Sequence, residues 1–271
     1  MINKSALEYK TTDISLDECL DIDMMLFRAI KDHRLQALGD VAVKAIIDRL
    51  NLEPFLEFLS SFNEANQLPY HNYYHSTCVM LNCYEGAYYA RLNLPPLNPF
   101  NMDEELRGLC AGALLHNFNH SGGKLSDAVN VKRALAGLKA AQTYASSMLL
   151  GLNANELAVA TSVIKITQYP FVREPSTIPE YIIRDADQMQ PYEESSEVLL
   201  RQYFGLKAES ELQHQATSTL REFAASLRLL LDSEVQWHTE WAVNKAKARN
   251  WEYLKSNLLC LMTNDGQQKA N

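Results

Sequence analysis

Glycine and proline are scarce, 10 and 9 of 271 residues. So little turn chemistry argues against a sandwich or barrel of many short strands and favours long helices. Cysteine is sparse too. The five, Cys19, Cys78, Cys83, Cys110 and Cys260, are odd in number and contain no CxxC. That pattern argues against a disulfide framework or a cysteine-based zinc site and fits a reducing compartment, with the thiols read as small buried apolar residues. No apolar run reaches about 18 residues, so no membrane span is expected. The polar start MINKSALEYKTTD lacks the apolar stretch of a signal peptide. A cytoplasmic location is the expectation. Basic excess is also missing: the net charge of −8 argues against a partner that is a polymeric nucleic acid. A small anionic ligand stays open, because a bound metal inverts the local field. There is no glycine-rich phosphate loop, no internal repeat and no low-complexity segment.

What is present is apolar and helical in period. Apolar residues make up 47% of the chain, enough for a sizeable core. Their spacing predicts helices over about 40–50, after a break at Gly39, then 53–66 and 72–93. Another begins at Asn101 or Asp103 and is apolar nearly all round, as a central buried helix is. Further helices are expected over 125–150 with a kink near Gly137, over 153–168 with Asn153 and Glu156 as a capping box, from about 180 through Arg184-Asp185-Ala186-Asp187, and over 193–205, 208–231 and 234–262. Pro170, Pro175 and Pro179 fence off a loop. Residues 1–66 read as an N-terminal helical subdomain packed on a core domain of 67–262, with 263–271 a polar tail. His33, among charged neighbours, reads as a solvated surface residue.

Four of the seven histidines fall in two pairs, His71 with His75 and His116 with His120, each four residues apart. On a helix that spacing places two imidazoles on one face. Imidazole is the commonest ligand for borderline metals, and carboxylates add the charge that divalent ions favour. The second pair closes an apolar helix, where polar groups need partners. With the carboxylates of RDADQM on a third segment, the pattern points to one metal site.

These segments resemble a known family. PYHNYYHS is similar to the YHNxxHA segment of class I cyclic nucleotide phosphodiesterases. LLHNFNHSGG resembles their HDxxHPG segment, the signature of the HD superfamily of metal-dependent phosphohydrolases, and RDADQM resembles the late aspartate motif. The likeness covers roughly residues 65–205. It implies an all-α, HD-domain, phosphodiesterase-like helical bundle that hydrolyses a cyclic mononucleotide or a small cyclic oligonucleotide with two divalent ions of the zinc, manganese or magnesium class. Carried over residue by residue, it implies that His75, His116 and Asp187 bind the first metal. His71 would be the general acid toward the departing sugar oxygen, and His120 would contact water or phosphate near the second metal. Asp185 would be a helix-surface carboxylate or one that supports the ligands.

Asn117 stands where the family has the aspartate that joins the two metals. An amide keeps the shape, loses the charge and cannot take a proton. The second metal site is therefore expected to be weakened and catalysis impaired. One reading is a substitution that traps uncleaved ligand in an otherwise active enzyme; the other is natural loss of catalysis with binding retained. The rival functions are a non-hydrolytic nucleotide-binding protein and an HD-type nucleotide phosphomonoesterase. Candidates for base recognition are Gln188, Gln190, Tyr192, Tyr203, Phe204, Gln236 and Trp237, none of which the pattern singles out.

Overall fold

A computed structural model describes residues 36–62, 68–93, 102–189, 196–215, 222 and 236–248. Among these residues the secondary structure is helical throughout: α1 (Gln36–Leu50), α2 (Glu53–Ser61), α3 (Tyr73–Asn93), α4 (Met102–Leu115), α5 (Asp127–Ser147), α6 (Ala154–Ile166), α7 (Ile178–Gln188), α8 (Ser196–His214) and α9 (Glu240–Ala248). The all-α expectation holds. His33, Cys19, Cys260, Gln190 and Tyr192 lie outside the described residues.

The centre is α4. Leu106, Leu109, Cys110, Ala111, Ala113, Leu114 and Leu115 are all buried, as its near-continuous apolar surface requires. It packs against α3 and α6, with α2, α5 and α7 completing the surround. Gly108 and Gly112 make the α6 contact close. A Cβ on Gly108 would lie 2.5 Å from the Glu156 carbonyl oxygen, and one on Gly112 2.2 Å from Val163 Cγ2. Residues of α1 and α2, among them Ile46, Ile47, Leu52, Phe55 and Leu59, enter the same apolar cluster as α4. Arg107, the basic residue of α4, donates to the carbonyls of Leu50, Asn51, Leu150 and Gly151 and pairs with Glu156 at 2.8 Å. Its cation thus sits where α1 and α5 end in unpaired carbonyls.

Local signals explain most boundaries. Asn153 accepts from the Glu156 amide while Glu156 Oε2 accepts from the Asn153 amide, a reciprocal capping box that starts α6. Several expectations need correction. Gly39 lies inside α1 and is no break, and α2 stops at Ser61 short of 66. Pro179 sits in the first turn of α7, a position that tolerates a missing N–H, so the loop ends before it. At Gly137 α5 runs on unbroken, and a Cβ there would lie 2.3 Å from Phe118 Cδ1, so the glycine is a notch for that ring. The division near 205–208 is absent, because α8 is continuous from Ser196 to His214 and ends at Gln215, whose φ is 50°. The last helix begins at Glu240, not 234, leaving Trp237 ahead of it. Cys83 and Cys110 are buried free thiols, as expected, and Cys78 is partly buried. Among the described residues no helix is long and apolar enough to cross a membrane.

Candidate metal centre

The first ligand segment is built by Asn72. Its side-chain oxygen accepts from the His75 amide at 3.1 Å and so caps α3, while its Nδ2 donates back to the carbonyls of Leu68 and Pro69. His75 therefore sits in the first turn of the helix, and His71 precedes it. The second segment leaves α4 at Leu115. Residues 116–119 form turns, and Asn119 takes φ 55°. Neither histidine pair thus lies along one helix face, as four-residue spacing suggested. The pairs combine crosswise instead: His75 meets His116, and His71 meets His120, with ring centroids 5.3 and 3.8 Å apart.

Asp187, near the end of α7, completes the first group. Its Oδ1 lies 3.2 Å from His75 Nε2 and 3.4 Å from His116 Nε2. An ion about 2.0–2.1 Å from each of three tetrahedral donors would space those donors about 3.3 Å apart. The donor set and its spacing therefore fit a divalent metal. His75 strengthens the fit: its ring is buried, and neither nitrogen has a hydrogen-bond partner. Burial pushes its pKa down to about 4, against the pull of Asp187, so the ring is neutral at pH 7 and offers a lone pair. Burial alone would raise the Asp187 carboxyl, but His116 and His75 hold it well below the usual carboxylate range. The His116 Nδ1 lies 2.6 Å from the Ala113 carbonyl. A carbonyl only accepts, so Nδ1 carries the proton and Nε2 is left as the ligand atom.

Asn117 enters this group directly. Its Nδ2 is 2.7 Å from His116 Nε2, and with the proton on Nδ1 the amide donates to the lone pair that a cation would take. An aspartate at this position would instead offer an anion.

The second group is His71, His120 and Glu209. Glu209, from α8, was not anticipated. Its Oε2 accepts the backbone amides of Tyr70 and His71 at 3.1 and 3.0 Å, and its Oε1 accepts from His71 Nδ1. Burial would raise this carboxyl, but the His71 contacts hold it down to about 2. Gly205, one turn earlier on α8, permits the approach, since a Cβ there would lie 2.4 Å from the Pro69 carbonyl oxygen. His120 Nδ1 meets the Gly122 amide at 3.1 Å, and its Nε2 faces Asn130 at 2.9 Å and Asp127 at 3.8 Å. Burial lowers the His120 pKa.

Asp185 is not on the helix surface. It is fully buried and accepts from the amides of His238 and Thr239, the Thr239 hydroxyl and His238 Nδ1. Thr239 in turn accepts from the Ala242 amide and caps α9. Asp185 thus joins the helix carrying Asp187 to the start of α9. Of the base-recognition candidates, Gln188 is bonded back to the Arg184 carbonyl, Trp237 packs on the core, and Phe204 and Gln236 are exposed.

No protein-family model matches the chain, and no curated protein matches it. Among solved structures, one of a Leishmania class I phosphodiesterase, LmjPDEB1 in complex with IBMX, is similar over 90% of each chain at 12% identity, with a TM-score of 0.49. At that level of likeness we rest no conclusion on it.

Proposed function

We propose that this chain is a metal-dependent phosphodiesterase for a small cyclic nucleotide, impaired as it stands by Asn117. The observation that carries the reading is the meeting of His75, His116 and Asp187 at donor spacing, with His71 beside them. These residues come from the three segments that resemble the phosphodiesterase motifs. His75, His116 and Asp187 would hold one divalent ion. The second ion, which the resemblance places at position 117, would be held weakly because an amide brings no charge. When bound, such ions supply Lewis acidity toward phosphoryl oxygen and acidify water.

The chain's own residues account for the remaining chemistry. Glu209 fixes the His71 ring by accepting a hydrogen bond from Nδ1–H, so Nε2 is the atom left to meet the ligand. Protonation of a departing sugar oxygen from Nε2 is the step assigned to His71, worth about 10²–10⁴-fold in rate for groups of this kind. Glu209 acts through His71 and is a positioning residue. His120, held between the Gly122 amide and Asn130, borders the same space.

The Asn117 amide on His116 Nε2 favours a second reading, in which the chain binds nucleotide without cleaving it. Asn117→Asp separates the two. The phosphodiesterase reading expects divalent-dependent cleavage of a cyclic nucleotide to appear in this variant. Metal-loaded variant that returns every member of a broad cyclic nucleotide panel intact would leave the binding function only. Hydrolysis confined to nucleoside monophosphates would move the assignment to a phosphomonoesterase.

A further inference from the structure

We propose that Tyr169 and Phe171, in the loop between α6 and α7, form the surface on which the base of the nucleotide stacks; this rests on the function proposed above. Both rings are open to solvent, Tyr169 at 52% and Phe171 at 39% exposure. They meet edge to face with centroids 5.5 Å apart and planes at 88°. Phe171 is backed by Arg184, whose guanidinium carbon lies 3.9 Å from the ring centroid. Arg184 is buried and donates to the carbonyls of Ile166 and Arg173, which bracket the loop. One face of Phe171 is thus occupied by a cation held from beneath.

The loop is also tied to the candidate site. The Tyr169 amide donates to Asp127 Oδ2 at 2.6 Å, while Asp127 Oδ1 lies 3.8 Å from His120 Nε2. Tyr169 is therefore two contacts from the second histidine group. In a nucleotide the base lies several ångströms from the phosphorus, and rings already held in place would receive it at less ordering cost than free ones. Stacking of a base on an aromatic side chain is worth about 1–3 kcal/mol by truncation, or about 5- to 150-fold in affinity.

The test is calorimetric binding to the full chain in Mn²⁺, using cyclic AMP as the base-bearing probe and ribose 5-phosphate as the base-free probe. Tyr169→Leu and Phe171→Leu keep apolar volume but remove the π face, and circular dichroism checks their folding. Because the two planes are at 88°, one flat base stacks on one ring only, so at least one of the two variants is expected to weaken cyclic AMP about 10-fold while changing ribose 5-phosphate less than 2-fold, with Tyr169→Phe behaving as the parent chain. Equal losses for both probes, or no loss for cyclic AMP, overturn the stacking surface. If the parent chain binds cyclic AMP and the leucine variants bind it as well, this inference alone falls. If the metal-loaded parent binds neither probe, the nucleotide reading falls with it.

Discussion

Gly108→Ala sets two physical effects against each other on α4. Helix propensity alone favours alanine in a helix interior by about 1 kcal/mol. Packing predicts the reverse. The new Cβ would sit 2.5 Å from the Glu156 carbonyl oxygen, where ordinary contact begins at 3.4 Å. The obstacle is backbone, so no rotamer change relieves it, and α4 and α6 must part by about 0.9 Å at that point. Overpacking of this kind costs about 1–3 kcal/mol. The upper half of that range applies because the contact lies between two buried helices, giving a net loss of about 1–2 kcal/mol. At a urea slope of about 2–3 kcal/mol per M, the midpoint should fall by about 0.3–1 M when helicity is followed by circular dichroism. Gly112→Ala acts on the same interface, so the double variant should lose less than the two losses added, since helices already parted make room for the second methyl. A midpoint for Gly108→Ala at or above that of the parent would refute the argument. It would mean that α4 and α6 are not seated as closely as these glycines imply.

Asp187→Asn removes the only anion from the first histidine group, and divalent affinity measured by competition with a chelating dye should fall at least 10–100-fold, the loss typical of even indirect changes at metal sites. Unchanged affinity would place the ion elsewhere. Glu180 tests the start of α7. It is buried, pairs with Arg173, and accepts from Ser162 and from the amide and hydroxyl of Ser176. Burial would raise its carboxyl, but these partners bring the pKa from 4.5 to about 2. The folded value lies below the unfolded one, so this stability is fully present above pH 4.5 and is lost as pH falls toward 2. Glu180→Gln should be less stable than the parent by on the order of 3 kcal/mol at pH 7, with the thermal midpoints converging near pH 2; a gap that does not depend on pH would show that charge is not its source.

How far the sequence reached depends on what kind of signal each residue carried. His75, His116 and Asp187 were legible because rare ligand types stood at characteristic spacings, and the structure does bring them together. What spacing could not give was the crosswise pairing, since that follows from α3 starting after His71 and α4 ending before His116. Glu209 was illegible. KAESEL holds two glutamates of similar standing, and only the approach of α8 to Pro69 selects one of them. Gly205, four residues earlier, was the available hint that this face of α8 meets backbone. Of the two readings of Asp185 the helix-surface one fails, and its burial could be inferred: Ile182, Asp185, Ala186 and Met189 share one helical face, and the other three are fully buried. A carboxylate on that face needs several donors, and the amides of 238 and 239 supply them.

His75 bears on whether this centre is a relic. A buried imidazole with no hydrogen-bond partner on either nitrogen costs about 1–3 kcal/mol relative to a satisfied one. Asn117 does not relieve it, because its amide reaches His116 instead. A core residue of similar volume, leucine or phenylalanine, would remove that cost and pack against Tyr70, whose ring centroid is 4.6 Å away. Stability alone therefore gives no reason to keep histidine there. Groups that disfavour folding when empty are accounted for by something they bind. On this argument the first histidine group is built to hold a cation in the chain as it stands, with Asn117 beside it. Divalent affinity should then be measurable in the chain with Asn117 in place, and its absence would sink the reading.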